Sequence, residues 1–267
     1  MTRLAIVIVS FNAREDLART LTSLRDAPPS IPHDVVVVDN ASPDGAPDIA
    51  RERFPAVRVI DAGGNLGFAR ANNLGIRATA GQFVLLLNPD TVVAPGAIDA
   101  MVEELARQPG VVAMGPRLVD DAGQAELSFG AMYSPWSEAR RKITLTLEAR
   151  GFGPTRRWIE RATRRPRTVD WVSGACLLVR RDAGEAAGWF DEQYFMYAED
   201  VDFCAALRQA GGQILFWPAA EIVHLRGRSG RTRPGPTRDA WRASHLAFYR
   251  KHLPRWAGLL GWYLKRS

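Results

Sequence analysis

The stretch FVLLLNPDTVV, residues 83–93, decides the fold. Its first five residues are apolar without alternation, the pattern of a strand covered on both faces, as in a parallel sheet. The run stops at Asn88-Pro89-Asp90, where the proline has no N–H to give a sheet and the aspartate resists burial. A carboxylate at that point needs a reason. On either side the same pattern repeats: LAIVIV (4–9), DVVVV (34–38), VRVI (57–60) and VVAM (111–114) are further short apolar runs, with helical stretches near 13–26, 46–54, 68–79 and 95–108 between them. This alternation predicts an α/β fold with a mostly parallel central sheet flanked by helices. Beyond residue 115 the rhythm changes. Strands are expected at 169–172, 175–180, 213–217 and 221–225, around an Arg-rich helical stretch at 137–165 and a short helix at 200–210.

With 267 residues, 46% of them hydrophobic, the chain can bury a large core as one big domain or two tightly joined halves. Cys176 and Cys204 are far apart and in no metal-binding or redox spacing, which suits a reduced compartment better than a disulfide framework. The opening MTRLAIVIVSFN is too short an apolar run for a signal peptide, and no window approaches the roughly 18 apolar residues of a membrane span, so a cytoplasmic location is expected. The net charge of +6 conceals an asymmetry. Residues 138–167 carry +7 and residues 226–267 carry +10, which leaves −11 for the rest. An acidic body thus bears two basic segments, either solubilising faces or contacts for an anionic membrane or nucleic acid. Together they mix Arg with Trp, Leu and Tyr, the composition of segments that lie on anionic membrane surfaces.

In an open α/β sheet ligands bind beyond the carboxyl ends of the strands. Here those ends read Ser10-Phe11-Asn12, Asp39-Asn40-Ala41-Ser42, Gly63-Gly64-Asn65-Leu66-Gly67 and Asn88-Pro89-Asp90. Each has an ordinary explanation: Asn12 with Glu15 makes a helix capping pair, Asp39-Asn40 a turn, Gly-Gly-Asn loop punctuation. Their joint placement on one rim is harder to dismiss. Asn72 and Asn73 also sit in a predicted helix without a propensity motive. Further on, Glu199, Asp200 and Asp202 crowd three carboxylates into four positions. A helix dipole accounts for one or two of them, and mutual repulsion raises the proton affinity of at least one, which suits a base. His224 follows the apolar run EIV, where a lone histidine is ordinarily structural.

The segments IVSFN (8–12), VVVDNASPDG (36–45), GNLGFARANNLGI (64–76), LLLNPD (85–90), WVSGACLLVRR (171–181), FDEQYFMYAEDVDFC (190–204) and VHLRGRSG (223–230) together resemble a family 2 glycosyltransferase of GT-A fold, in its bacterial rhamnosyltransferase-like branch. The resemblance implies inverting transfer of a sugar from a nucleotide-diphosphate donor. It places Ser10, Asn12 and Asp39 at the nucleoside and Asn65, Gly67, Asn72 and Asn88 near the donor. Asp90 and His224 become ligands of a divalent cation, Mg²⁺ or Mn²⁺, and Asp200 the base with Glu199 as runner-up. Arg226, Arg228 and Ser229 would either face the diphosphate or belong to a solvated loop. Gly174 and Ala175 make either a tight strand start or room for a sugar ring. Asn88 departs from the family's usual acid, so the cation should be held loosely and rely on the diphosphate.

Rhamnose from dTDP-rhamnose is the first donor expected, with UDP-sugars as alternatives. The acceptor would be a lipid-linked or cell-surface glycan, reached by peripheral association with an anionic membrane at the inner face of the cell membrane. Residues 1–225 would form the glycosyltransferase domain (1–115 for the nucleotide sugar, 116–225 for acceptor and catalysis) and 226–267 a basic helical tail. Two other classes stay open: a nucleotidyltransferase, whose first strand-end turn should be glycine-rich, and a basic nucleic-acid-binding protein, which would leave the polar rim unexplained. No nucleic-acid partner is expected.

Overall fold

The computed structural model describes residues 4–225 and 234–264, with side chains of the second span from 238 onward. The chain runs β1 (Leu4–Ser10), α1 (Arg14–Asp26), β2 (His33–Asp39), α2 (Ala46–Arg53), β3 (Arg58–Asp61), α3 (Phe68–Arg77), β4 (Phe83–Leu87), β5 (Thr91–Val93), α4 (Ala97–Arg107) and β6 (Val111–Val119). It continues through β7 (Phe129–Gly130), α5 (Pro135–Ala149), α6 (Gly153–Ala162), β8 (Arg167–Val169), β9 (Trp171–Val172), β10 (Cys176–Arg180), α7 (Arg181–Ala187), α8 (Glu199–Gln209) and β11 (Gln213–His224). Two helices follow, α9 (Pro234–His252) and α10 (Pro254–Leu264).

The strands of the first half pair in parallel in the order β3-β2-β1-β4, and the sheet continues β10-β6-β11-β5, with β8 also on β11. β10 runs antiparallel to both β4 and β6, while β6 and β11 are parallel. The unalternating strands have the predicted cause. Leu4, Ile6 and Ile8 of β1 face one core with α1 and α4, and Val7 faces a second core with α3, α8 and α9. α3 lies especially close, because a Cβ on Gly75 would come within 2.5 Å of the Val7 side chain. The register Ser10↔Asp39 then sets the polar ends of β1 and β2 side by side at one rim.

Some expectations change. The helical stretch 137–165 is two helices, parted at Gly151, whose φ of +73° suits glycine. The strands expected at 213–217 and 221–225 are one strand, β11, carrying a register irregularity between Trp217 and Glu221. The strand expected at 169–172 is split into β8 and β9 at Asp170. Cys176 and Cys204 are buried free thiols. No helix among the described residues is long and apolar enough to cross a membrane.

The basic C-terminal segment is anchored to the body: Phe248 and Tyr249 of α9 are buried in the second core. Asp202 clamps the helix further. Its carboxylate takes Lys251 Nζ at 2.9 Å, His252 Nε2 at 2.6 Å and the Tyr194 hydroxyl at 3.1 Å. The third acid of the 199–202 cluster is thus a fastener. Asp202→Asn should lower unfolding stability by roughly 2 kcal/mol in urea denaturation, because it removes the buried side of an ion pair with the partly exposed Lys251 and weakens the bonds to Tyr194 and His252. A loss below about 0.5 kcal/mol would mean that the apolar face of α9 suffices to hold it.

Candidate active site

Asp90 stands on a turn fixed from two directions. The buried Thr20 hydroxyl of α1 lies 2.7 Å from the carbonyls of both Pro89 and Thr91, and Thr91 Oγ1 donates to the Asn88 carbonyl at 2.8 Å. β5 follows at once and pairs antiparallel with the end of β11, in the register His224↔Thr91. That pairing brings His224 Nε2 to 3.4 Å from Asp90 Oδ1. The other ring nitrogen, Nδ1, lies 3.2 Å from Glu126 Oε2. Glu126 is buried on the segment after β6, whose path back is set by the Val119↔Ala125 bridge and by the Glu126 N–H donating to the Leu118 carbonyl at 2.9 Å. Burial opposes a charge on His224, but its bonds to Asp90 and Glu126 prevail and raise its pKa to about 9.

Across from this group lies the start of α8. Tyr197 and Ala198 both have left-handed backbone, with φ of 71° and 64°. Two such non-glycine residues in succession are strained, a condition that collects at functional sites. They turn the chain so that Glu199 and Asp200 open the helix. Asp200 Oδ2 accepts the Gly174 N–H at 3.0 Å and Oδ1 the Val201 N–H at 2.8 Å. Glu199 Oε2 is buried with no hydrogen-bond partner among the described residues. Burial pushes the Asp200 carboxyl above its ordinary range, opposed by those two N–H bonds. Burial, and then the charge of Asp200, drives Glu199 well above its own.

His224 and Glu126 on one side and Glu199 and Asp200 on the other line a single cavity of about 270 Å³. Tyr133, Arg141, Trp171, Trp241 and His245 also line it. The carboxylates of residues 90 and 200, 110 positions apart, are thereby linked to one space through His224. Among the described residues, no three His, Cys, Asp or Glu side chains are grouped to hold a metal by themselves. The set nonetheless suits a divalent cation: an ion arriving between His224 Nε2 and Asp90 Oδ1 would take the place of the proton on that nitrogen, while Glu126 orients the ring through Nδ1.

The other rim residues lie on the neighbouring strand ends. Ser10 and Asp39 are buried there, and Ser10 Oγ and Asp39 Oδ1 have no hydrogen-bond partner among the described residues; Asp39 Oδ2 accepts the Ser42 N–H at 3.0 Å. Asn12, at φ 52°, takes Ser42 Oγ on its N–H at 3.2 Å. Asn88 is half-buried and its N–H bonds the Ala175 carbonyl at 2.9 Å. Three glycine-turn residues are engaged within the protein. Asn65 Oδ1 accepts the Gly67 N–H at 3.1 Å, and Asn72 Nδ2 donates to the Phe68 carbonyl at 2.9 Å. A Cβ on Gly67 would fall 2.3 Å from the Phe195 carbonyl oxygen, so only glycine admits the loop leading to α8. Asn73 ties down the same loop, with its side chain bonding both N–H and C=O of Phe190. Arg226, Arg228 and Ser229 lie outside the described residues. At Gly174 a Cβ would reach only ordinary contact, 3.4 Å from Asp200 Cβ, so the site uses its N–H more than its smallness.

Sequence reasoning passed over Glu126, Tyr133, Arg141, Trp241 and His245. The histidine and tryptophan carried an available signal, since polar aromatic residues at 241 and 245 share one helical face. Glu126 carried none: it follows a turn-rich stretch, DDAGQ, that reads as surface loop.

The sequence matches the family described as Glycosyl transferase family 2 over residues 5–183. It is 36% identical to an N-acetylglucosaminyl-diphospho-decaprenol L-rhamnosyltransferase of Mycobacterium tuberculosis, an alignment covering 99% of this chain and 90% of the relative. Among solved structures, a mannosyltransferase from Pyrobaculum calidifontis in complex with GDP-Man and Mn²⁺ superposes with a TM-score of 0.65 at 18% identity, over 97% of this chain and 68% of that one. GalNAc-T7 with UDP, GalNAc and Mn²⁺ gives 0.63 at 17% identity, over 92% and 48%. The two likenesses establish a GT-A-like fold, and the sequence matches exclude the nucleotidyltransferase and nucleic-acid-binding alternatives. This chain belongs to glycosyl transferase family 2 and is a glycosyltransferase.

Proposed function

We propose that this enzyme transfers L-rhamnose from dTDP-rhamnose, with inversion, to a hydroxyl of a lipid-linked N-acetylglucosaminyl acceptor. The observation that carries the mechanism is the single cavity shared by the Glu199–Asp200 pair and the His224 group. The substrates rest on the 36% identical relative, whose name specifies both the sugar and a diphospho-decaprenol acceptor.

In the reaction Asp200 takes the proton of the acceptor hydroxyl. The freed oxygen attacks C1 of the donor from the face opposite the diphosphate, the C1–O bond breaks, and its electron pair leaves with the nucleoside diphosphate. The division of labour within the pair follows from surroundings. Two neighbouring backbone N–H groups stabilise the Asp200 anion, whereas Glu199 Oε2 has no hydrogen-bond partner among the described residues and its carboxyl sits against that anion, so Glu199 is the more readily protonated of the two and can donate a hydrogen bond to acceptor or donor sugar. Asp90 and His224 would hold a divalent cation, which supplies Lewis-acid stabilisation of the leaving diphosphate. Mn²⁺ or Mg²⁺ fits; the imidazole favours Mn²⁺. Ser10, Asn12 and Asp39 would receive the nucleoside, with Asp39 Oδ1 open to a base N–H. Asn65, Gly67, Asn72 and Asn88 shape the donor side by fixing the turn and the loop to α8. Residues 1–115 would then be the nucleotide-sugar half, 116–225 the acceptor half and 226–267 a basic tail. The exposed Trp136, Ile143 and Trp158 on α5 and α6, beside many arginines, suit peripheral attachment to an anionic membrane on its cytoplasmic face.

The test is incubation with a panel of nucleotide sugars, Mn²⁺ and a prenyl-diphospho-N-acetylglucosamine, with products read by mass spectrometry. Rhamnose should add only from the dTDP donor. Addition of a hexose from a UDP donor would overturn the donor assignment, and no addition from any donor would overturn the acceptor.

Glu126 gives a second check. If it orients His224, Glu126→Gln should weaken Mn²⁺ affinity in the presence of dTDP by roughly tenfold, measured by electron paramagnetic resonance of free Mn²⁺. Unchanged affinity would leave Glu126 a structural acid.

A further inference from the structure

A second and larger cavity, about 1060 Å³, lies between α5 and the C-terminal pair α9 and α10. It exceeds the roughly 300–1,000 Å³ of sites that bury a whole small ligand. Its walls are mainly apolar, and Leu145, Trp256, Leu259 and Leu260 are among them. Several of its residues are notably uncovered: Leu259 is 56% exposed, Trp262 53%, Tyr263 44% and Trp256 42%. Apolar surface left open at this density marks a binding site.

Two observations say what it binds. First, the groove runs into the catalytic cavity, because Tyr133, Arg141, Trp241 and His245 line both. Second, the junction is cationic. Arg141 is held there by the Leu127 carbonyl, 3.0 Å from Nη2, and by stacking 4.7 Å over the Trp171 ring, and its charge is felt at Asp200. Lys142 and Arg242 line the groove beside it. The groove is also built firmly: Glu138 of α5 takes His245 Nε2 at 3.2 Å and the Tyr249 hydroxyl, joining its two walls.

An apolar channel that ends in cations and then opens on the base matches one molecular shape: a long hydrocarbon chain, an anionic phosphate linkage, and a sugar hydroxyl. We infer that the groove between α5 and α9–α10 seats the isoprenoid tail of the acceptor, with its diphosphate against Arg141 and Arg242 and its sugar in the catalytic cavity. This rests on the lipid-linked acceptor proposed above and adds where the lipid lies and which residues read its length.

The test compares a decaprenyl-diphospho-N-acetylglucosamine with a two-isoprene analogue, for the wild type, Leu259→Glu and Phe152→Glu. Phe152 is 50% exposed between α5 and α6 and does not line the groove. Wild type should prefer the long acceptor in kcat/KM by about tenfold or more, and Leu259→Glu should erase that preference while Phe152→Glu keeps it. Equal kcat/KM for the two acceptors in the wild type would overturn the groove while leaving the lipid-linked reading intact; transfer to neither would overturn both. A binding readout runs alongside. Decaprenyl phosphate in detergent micelles should shift the fluorescence of the groove tryptophans in the wild type and not in Leu259→Glu. A shift as large from anionic phospholipid vesicles, and insensitive to Leu259→Glu, would make this face a membrane contact and overturn the proposal.

Discussion

Asp200→Asn is expected to lower kcat for sugar transfer by roughly a thousandfold, the scale of removing a positioned base, while the melting temperature and dTDP affinity stay near those of the wild type. Asparagine preserves the shape of the side chain and can still accept the Gly174 N–H, so the loss would report proton transfer and not disorder of the α8 start. The pH profile sharpens this. A base works only when deprotonated, and burial raises the Asp200 pKa in the folded protein, so kcat/KM should rise with pH along a limb lying above the ordinary aspartate value of about 3.9. Asp200→Asn should flatten that limb. If instead Glu199→Gln produces the larger loss and removes the limb, the roles within the pair are reversed.

Asp90→Ala should reduce Mn²⁺ binding in the presence of dTDP, and kcat/KM with it, by roughly a hundredfold or more, since it removes the one carboxylate of the Asn-Pro-Asp turn. Isothermal titration of Mn²⁺ into the protein with and without dTDP measures it. A site with one carboxylate and one imidazole supplies few of the six or more ligands that hard cations prefer, so Mn²⁺ and the nucleotide should each tighten the other. Equal Mn²⁺ affinity with and without dTDP in the wild type would contradict a cation held jointly by protein and diphosphate.

The parts of the fold that the sequence revealed are those governed by local pattern. β1, β2 and β4 are continuous apolar runs because both sheet faces are covered, and each ends in the polar residues of the rim. β5 escaped notice because three residues behind an Asn-Pro-Asp turn have no pattern of their own; only pairing with β11, more than 120 positions later, makes them a strand. For a similar reason β6 was expected to stop at residue 114. The apolar run ends there, yet the strand continues through Gly115 and Pro116, paired to Phe216 and Trp217.

At the site, Asp90, Glu199 and Asp200 stand out by residue type and position, and His224 only through the resemblance to the family. What brings them together is register and turn geometry between distant elements, which no local pattern encodes. Glu126 and Arg141 make the contrast plain: one lies in a turn-rich segment and the other among ten basic residues of 138–167, and in neither place does composition separate a wall of the cavity from a solvated surface. The basic helices carry exposed aromatics, and nothing in their composition tells that they enclose a groove that meets the catalytic space.

Anomalous diffraction from crystals soaked with Mn²⁺ and dTDP measures the central claim most directly. The account predicts a single Mn²⁺ peak at Asp90 and His224, with the diphosphate on the cavity side toward Asp200. A peak elsewhere, or a nucleotide turned away from the cavity that Glu199 and Asp200 line, would contradict it.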